Sequence, residues 1–335
     1  MVREKISIIG AGSWGTTLAI VLSKKGIAVE LHSMFAEHNL QMRKERQNRL
    51  FLKGAKFPST LSVNPCLKET LKNEVIIIAI PVKYLRSSLK KIKAQKISFK
   101  NKIIVSISKG IEAKSLKRVS QIIKEELSAP AIAVLSGPNI AKEVLAGVPS
   151  AAILACSNKN FGEKLQVLFT NPVFRVYLCG DITGTELGGA LKNIIAIACG
   201  ISDGLGFGAN TKAALVTRGL TEITRLGKKL GAVSSTFWGI SGLGDLVTTC
   251  FSPYSRNRSV GEQIGKGKKL TEIISKMKMV AEGVETIKSA YLLSKKLNID
   301  MPITREVYNV LYKDKSPKKA VADLMTRPLK AERIT

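Results

Sequence analysis

The chain has 335 residues, enough for two domains with separate cores, and its 45% apolar and 23% charged residues match a soluble globular protein. Its formal charge of +28 admits nucleic acid, an anionic membrane surface, phosphorylated ligands or simply a solvated lysine surface. Aromatic residues at 5% offer little for base stacking, and basic stretches such as KSLKRVSQIIKEE carry interspersed acids, so no nucleic-acid partner is expected.

The opening run MVREKISIIGAG passes directly into a core strand, so no signal peptide is expected. Residues 6–9 form a short, mostly apolar run that leads into Gly10-Ala11-Gly12-Ser13-Trp14-Gly15. Leu18, Ala19, Val21 and Leu22 continue at helical spacing, Gly26 ends that helix, and residues 29–31 begin a second strand. Glycines between a strand and a helix let the backbone approach a pyrophosphate, whose charge meets the helix N-terminus. That context makes Gly10, Gly12 and Gly15 a dinucleotide turn. EVIIIAIP (residues 74–81) reads as a buried strand, with Pro81 opening the next segment. KIIVSISKG is a further strand ending at Lys109 and Gly110, followed by a polar helix through Glu126. APAIAVLSGPNIAKEV gives a strand, a Ser136-Gly137-Pro138 turn and a helix start. SAAILAC and FRVYLCG are two more strands, with a helix over residues 161–169 between them.

Alternating strands and helices predict a Rossmann-like, doubly wound, mostly parallel sheet over residues 1–181, with ligands at the carboxyl ends of its strands. Lys109 and the turn from Ser136 to Asn139 fall at such ends. After Asp181 the pattern becomes helical and glycine-broken, predicting an all-α domain over 182–335, with long helices over 283–296 and 303–312. No membrane-spanning run of about 20 apolar residues occurs. The five cysteines are odd in number, far apart and free of C-x-x-C pairing, so they read as reduced thiols in a cytoplasmic protein without a metal site.

Only two histidines exist, His32 and His38, so proton transfer in the second half must use Lys, Asp or Glu. Lys192 is the only charge between Glu186 and Asp203. A buried amine there loses solvation, its pKa falls, and it becomes a candidate acid or base; a lysine reaching the surface from a helix side is the alternative. Asn193 beside it can orient a hydroxyl. Asp245 and Thr249, four apart, share a helical face; Asp245 either caps the helix or holds a lysine or substrate hydroxyl. SPYSRNRSVG sets Ser255, Arg256, Asn257 and Arg258 in one loop, suited to a phosphate dianion or to solvent.

Together GAGSWGTTLA, NRLFL, SKGIE, SGPNIAKEV, GGALKNIIAIACGISDGLGFGANTKAALVTRGL, GLGDLVTTC, SRNRSVG, VAEGVET and MPITREVY, in register over nearly the whole length, carry a likeness. The chain resembles the bacterial NAD(P)-dependent sn-glycerol-3-phosphate dehydrogenases. The resemblance implies hydride transfer between NAD(P)H and dihydroxyacetone phosphate, giving sn-glycerol 3-phosphate for phospholipid synthesis in the cytoplasm. It implies Lys192 as proton donor to the ketone oxygen, surrounded by Lys109, Asn193, Asp245 and Thr249. Gly137, Asn139, Ser255, Arg256 and Asn257, with Lys109, Lys192 and Asp245, would hold the substrate. Gly10, Gly12, Ser13, Trp14, Gly15, Met34, Lys109, Ala141, Arg256, Val280 and Glu282 would line the dinucleotide. A homodimer is implied, without metal, nucleic acid or integral membrane association. The family usually offers Arg or His at the position of Met34, and often Ser or Thr at that of Asn139. No carboxylate sits at the end of the second strand to repel a 2′-phosphate, and Met34 supplies no cation to attract one, so both NADH and NADPH are expected to serve. Other Rossmann-plus-helices dehydrogenases of β-hydroxyacids or 6-phosphogluconate are the nearest rivals, and the SRNR and GLGDLVTTC segments argue against them. A redox sensor that holds the dinucleotide without catalysis is disfavoured by the joint presence of Lys192, Lys109 and Asp245.

Overall fold

The computed structural model describes residues 5–129, 131–277, 279–329 and 331–332. The first four residues of the opening run, Pro130 ahead of the sixth strand and residues 333–335 of the expected second domain lie outside the described residues. The chain forms two compact units, Met1–Ser108 with Val119–Ile182, and Lys109–Arg118 with Thr183–Thr335.

The first unit holds an eight-stranded sheet. Its strands are β1 (Lys5–Ile9), β2 (Ala28–His32), β3 (Leu61–Val63), β4 (Val75–Ile78), β5 (Ile103–Ser106), β6 (Ala131–Ser136), β7 (Ser150–Cys156) and β8 (Phe174–Cys179). The spatial order is β3-β2-β1-β4-β5-β6-β7-β8, with every pairing parallel except β6 with β7. Parallel strands are covered by helices on both faces and so read as continuous apolar runs. β4 shows why: Val75 and Ile77 enter one core with Ile6 and Ile8, while Ile76 and Ile78 enter a second core with Ile9 and Ile104. β3, only three residues long, carries no such run and gave no sequence signal.

The polar helix expected directly after Gly110 starts later, at Val119. Residues 110–118 instead fold back as a turn, with Ile111 paired antiparallel to Arg118 and Leu116 in the left-handed region at φ 59°. This segment belongs to the second unit because its contacts lie there. Ile111 joins the helical core, its carbonyl accepts from Ser289 Oγ at 2.9 Å, and Arg118 pairs with the buried Glu186.

The second unit is otherwise helical, centred on the helix Ile182–Gly204, of which Gly184–Ser202 is continuously buried. The long helices expected in sequence are present as Glu282–Lys296 and Pro302–Tyr312. Glycines decide how closely the helix Arg256–Gly265 lies on the central one. A Cβ on Gly200 would press on the Arg258 carbonyl and come within 2.8 Å of the Glu262 amide nitrogen. A Cβ on Gly261 would press on the Ile197 carbonyl, and one on Gly265 on that of Ile201. Backbone meets backbone at this crossing, with no side chain able to give way.

This packing yields a test. In a helix with free space, Gly→Ala would stabilise by about 1 kcal/mol through propensity. At Gly200 the backbone overlap opposes it, and overpacking costs about 1–3 kcal/mol. Urea denaturation of Gly200→Ala should show a lower midpoint than the parent, whereas an unchanged or raised midpoint would mean the helices have room.

Candidate active site

The expected acid–base residues converge within the second unit. Lys192 lies in the middle of the buried central helix and is itself 6% exposed. Its Nζ donates to Asp245 Oδ1 and to Thr249 Oγ1, the latter at 2.7 Å. Lys109 Nζ donates to the other carboxylate oxygen, Asp245 Oδ2, at 2.6 Å. One carboxylate therefore serves two ammonium groups. The Asp245–Phe251 helix brings this about: Thr249 sits one turn above Asp245, and its hydroxyl donates back to the Asp245 carbonyl at 2.6 Å. With that proton committed, the lone pairs of Thr249 Oγ1 face the Lys192 ammonium. Of the two sequence readings of Asp245, the capping one fails. The N-cap is Gly244, which ends a wide π-type turn over Ile240–Gly244, and Asp245 is the first helical residue.

Burial pushes the Lys192 pKa down from 10.5 to about 7. Asp245 opposes the shift and Lys109 adds to it. Desolvation thus outweighs an ion pair with a 1% exposed carboxylate. Asn193, next on the helix, is also buried at 4%.

The loop residues fall close by in the fold of the same unit. Ser255 caps the helix Arg256–Gly265 by accepting from the Arg258 amide at 3.2 Å. Arg258 itself turns to Asp203, at 2.7 Å. Arg256 Nη1 donates to the Val280 carbonyl at 2.6 Å. Asn257 Oδ1 accepts from the Gly283 amide at 3.0 Å, which directs the amide NH2 of Asn257 away from that backbone. Gly283 was not singled out in sequence, although it sits in the quoted VAEGVET stretch. A Cβ there would lie 2.7 Å from Asn257 Oδ1 and 3.0 Å from the Asn193 carbonyl. Burial raises the Glu282 pKa, partly offset by Arg256, Lys109 and Lys192, so four charged candidates share one electrostatic neighbourhood.

In the first unit the glycine turn joins β1 to the helix Ser13–Lys24. Gly10 has φ 115°, and a Cβ on it would press on the Ala79 carbonyl; one on Gly15 would press on the Gly10 carbonyl. Gly12 differs, because a Cβ there would meet no protein atom within 4 Å. Gly12 is also the helix N-cap, without a side-chain cap and without an acid in the following turn. The open side of the turn thus offers bare backbone N–H groups at a helix N-terminus, which fits a dinucleotide pyrophosphate. Trp14 is half-buried, its ring 6.3 Å from that of Phe174. Met34 is half-buried against the second sheet core. Glu30 is no ribose ligand: it is buried within β2, ion-paired to Lys5 at 2.7 Å and accepting from Asn64 and Asn73. Among the basic residues that follow β2, Arg46 donates to the carbonyls of Leu61, Phe57 and Pro58, and Arg49 pairs with Glu45. Past β6, a Cβ on Gly137 would come within 2.9 Å of the Ala151 carbonyl, and Asn139 Nδ2 donates to that same carbonyl at 2.9 Å. Ala141 opens a short helix, Ala141–Leu145, and its carbonyl accepts from Thr17 Oγ1 at 3.4 Å. Among the described residues, no cluster of three or more His, Cys, Asp or Glu could hold a metal ion, and no helix is long and apolar enough to cross a membrane.

Comparison with known proteins matches residues 5–162 to the N-terminus, and residues 181–322 to the C-terminus, of NAD-dependent glycerol-3-phosphate dehydrogenase. A protein of Citrifermentans bemidjiense named glycerol-3-phosphate dehydrogenase [NAD(P)+] is 50% identical over 99% of both chains. One of the same name from Geobacter sp. is 49% identical over 99% of both. The crystal structure of glycerol-3-phosphate dehydrogenase from Coxiella burnetii superposes with a TM-score of 0.93 at 38% identity, covering 97% of this chain and 99% of that one.

The contrast among the three turn glycines sets an experiment. Gly12→Ala meets no protein atom, so its urea midpoint should stay near the parent's, since Gly and Ala at an N-cap differ by under about 1 kcal/mol. Its affinity for NADH, followed by fluorescence titration, should fall by about tenfold or more, the worth of one charge-assisted hydrogen bond. Equal affinity would show that nothing approaches the turn at Gly12.

Proposed function

We propose a reaction for this chain from one premise: it belongs to the family of NAD-dependent glycerol-3-phosphate dehydrogenases. It interconverts dihydroxyacetone phosphate and sn-glycerol 3-phosphate with NAD or NADP. The reading is carried by Lys192, buried, brought to a pKa of about 7 and held by Asp245 and Thr249. When bound, NAD(P)H supplies the hydride that the ketone carbon gains. In reduction, the Lys192 ammonium donates a proton from Nζ to the ketone oxygen and becomes the neutral amine. In oxidation the neutral amine takes the hydroxyl proton. A group that must do both works best with a pKa near the operating pH.

Asp245 orients the amine, accepts one of its N–H bonds and moderates its loss of charge, and Thr249 accepts another, so that the third N–H is aimed by elimination. Lys109 shares the carboxylate, which keeps Asp245 from neutralising Lys192 alone. Asn193 and Asn257 offer amides to the glycerol hydroxyls. Arg256, with one guanidinium N–H on Val280, has further donors for the phosphate, together with Ser255. Gly137 and Asn139 complete the substrate contacts in this reading. For the dinucleotide, the first unit offers Gly10, Gly12, Ser13, Trp14, Gly15, Met34 and Ala141, and the second offers Lys109, Arg256, Val280 and Glu282. The enzyme works in the cytoplasm as a homodimer, and its product serves as a phospholipid backbone.

Absorbance at the nicotinamide band, with dihydroxyacetone phosphate as oxidant, tests the activity directly. Lys192→Ala should retain NADH binding while its single-turnover rate falls by about 10²–10⁴-fold. A variant with a near-parental single-turnover rate would remove Lys192 from the proton transfer.

The pH dependence follows with a definite sign. Reduction needs the ammonium, so kcat/KM for dihydroxyacetone phosphate should fall as pH rises through about 7; oxidation needs the amine and should rise there. Asp245 raises the Lys192 pKa, so Asp245→Asn should move both breaks to lower pH in whatever activity remains. Breaks that stay put, or move up, would contradict the assignment.

A further inference from the structure

The carboxyl ends of β1 and β2 carry different parts of a dinucleotide site in a doubly wound fold: the glycine turn takes the pyrophosphate, and the end of the second strand takes the adenosine ribose. In this chain a continuous buried hydrogen-bond chain joins them. It starts at Ser33, the residue after β2, all of whose polar groups are engaged. The Ser33 amide donates to Asn39 Oδ1 and the Ser33 carbonyl accepts from Asn39 Nδ2, both at 2.7 Å. The Ser33 hydroxyl meets His38 Nδ1 at 3.1 Å. His38 Nε2 meets Asn48 Oδ1 at 3.1 Å. Asn48 Nδ2 then donates to the Ala11 carbonyl, inside the glycine turn, and to Thr16 Oγ1, in the first turns of the helix, both at 2.8 Å.

The direction of every proton is fixed. Asn48 Nδ2 is the donor to a carbonyl, so Asn48 Oδ1 must accept, and His38 Nε2 must carry the hydrogen. His38 Nδ1 is then the acceptor, and Ser33 donates to it while accepting from the Phe35 amide at 3.3 Å. Burial holds the His38 pKa below the usual range, which keeps the ring in this neutral form. Phe51 packs edge-on to the ring at 5.4 Å, and its amide donates to Asn48 Oδ1 at 3.1 Å. Asn48 and Thr16 are fully buried, and Ser33 and His38 are 3% and 7% exposed.

We propose that Ser33, His38 and Asn48 form a positioning strut that locks the pyrophosphate turn to the ribose-binding end of β2, so that the two bind one dinucleotide as a single preformed cradle. The inference rests on the dinucleotide reading above. The three residues touch the protein backbone at both ends and act on the ligand through it. A strut matters only to a ligand that spans both ends, and that separates it from a purely structural cluster. Fixing the cradle before binding lowers the ordering that binding must supply.

The test uses the full chain and isothermal titration with NADH, ADP-ribose and AMP, alongside the melting temperature of the free protein. Asn48→Ala and Ser33→Ala should each weaken NADH and ADP-ribose about tenfold, the scale expected of a coupled network. AMP, which reaches one end only, should change less than about twofold. The double variant should bind ADP-ribose little worse than the weaker single variant, because a strut is already broken by one cut. His38→Gln, which keeps a donor toward Asn48 and loses the acceptor for Ser33, should fall between parent and Ser33→Ala. It carries the test if Asn48→Ala does not fold. Multiplying losses near a hundredfold in the double variant, equal weakening of AMP, or a lowered melting temperature with unchanged affinities would overturn the strut. A parent chain that binds neither NADH nor ADP-ribose would instead overturn the dinucleotide reading on which it rests.

Discussion

Two ammonium groups share the Asp245 carboxylate in a place where water scarcely reaches it. Charges about 4 Å apart attract by about 4 kcal/mol at an effective dielectric constant of 20, yet for Lys192 the cost of burial outweighs that attraction. Sharing the carboxylate with Lys109 adds to the same shift. Each lysine weakens what Asp245 can do for the other, and the more deeply buried of the two, Lys192, is left with a desolvation cost its partner cannot offset. An amine that would be charged at any physiological pH becomes one that exchanges its proton near neutrality. Lys109, less buried, supplies the competing charge.

The rest of the second unit keeps that arrangement from relaxing. Had Lys192 a flexible route to solvent, it would take it and regain its ordinary pKa. The central helix denies the route by being buried around its whole circumference from Gly184 to Ser202. Glycine crossings make that enclosure tight: Gly200, Gly261 and Gly265 bring two helix backbones into contact, and Gly188 would press a Cβ to 2.6 Å from the Ser241 carbonyl, inside the turn that delivers Asp245. The segment Lys109–Arg118 is pinned by Arg118 on Glu186 and by Ser289 on the Ile111 carbonyl, which fixes the backbone from which Lys109 reaches Asp245. Rigid helices and buried polar anchors thus support a single shared carboxylate.

Local signals in the sequence were enough for most of the sheet and for the placement of single residues. Runs such as VIII mark strands covered on both faces, and the glycine turn announces itself by standing between a strand and a helix. The i to i+4 spacing correctly set Asp245 and Thr249 on one face, and the isolation of Lys192 among apolar residues correctly signalled its burial. What pattern reading could not supply were partners distant in the chain. Lys109 and Asp245 are 136 residues apart, Lys192 and Asp245 53, and no periodicity joins them. The same holds for Asn48, which looks like an ordinary polar residue in NRLFL until its amide is seen on the Ala11 carbonyl 37 residues earlier. β3 was missed because three residues carry no readable period, and the helix after Lys109 was started too early because the left-handed Leu116 breaks it without a glycine to warn of it.

The central claim is that burial brings Lys192 to neutrality near pH 7, and it can be measured without any turnover. Lysine labelled with 13C at Cε reports its own protonation through its chemical shift. The account predicts one lysine resonance in the free protein with a midpoint near 7, absent from Lys192→Met, while the others titrate near the usual 10.5. A spectrum in which every lysine, Lys192 included, titrates above about 10 would show that Asp245 holds the amine fully charged, and would contradict the account.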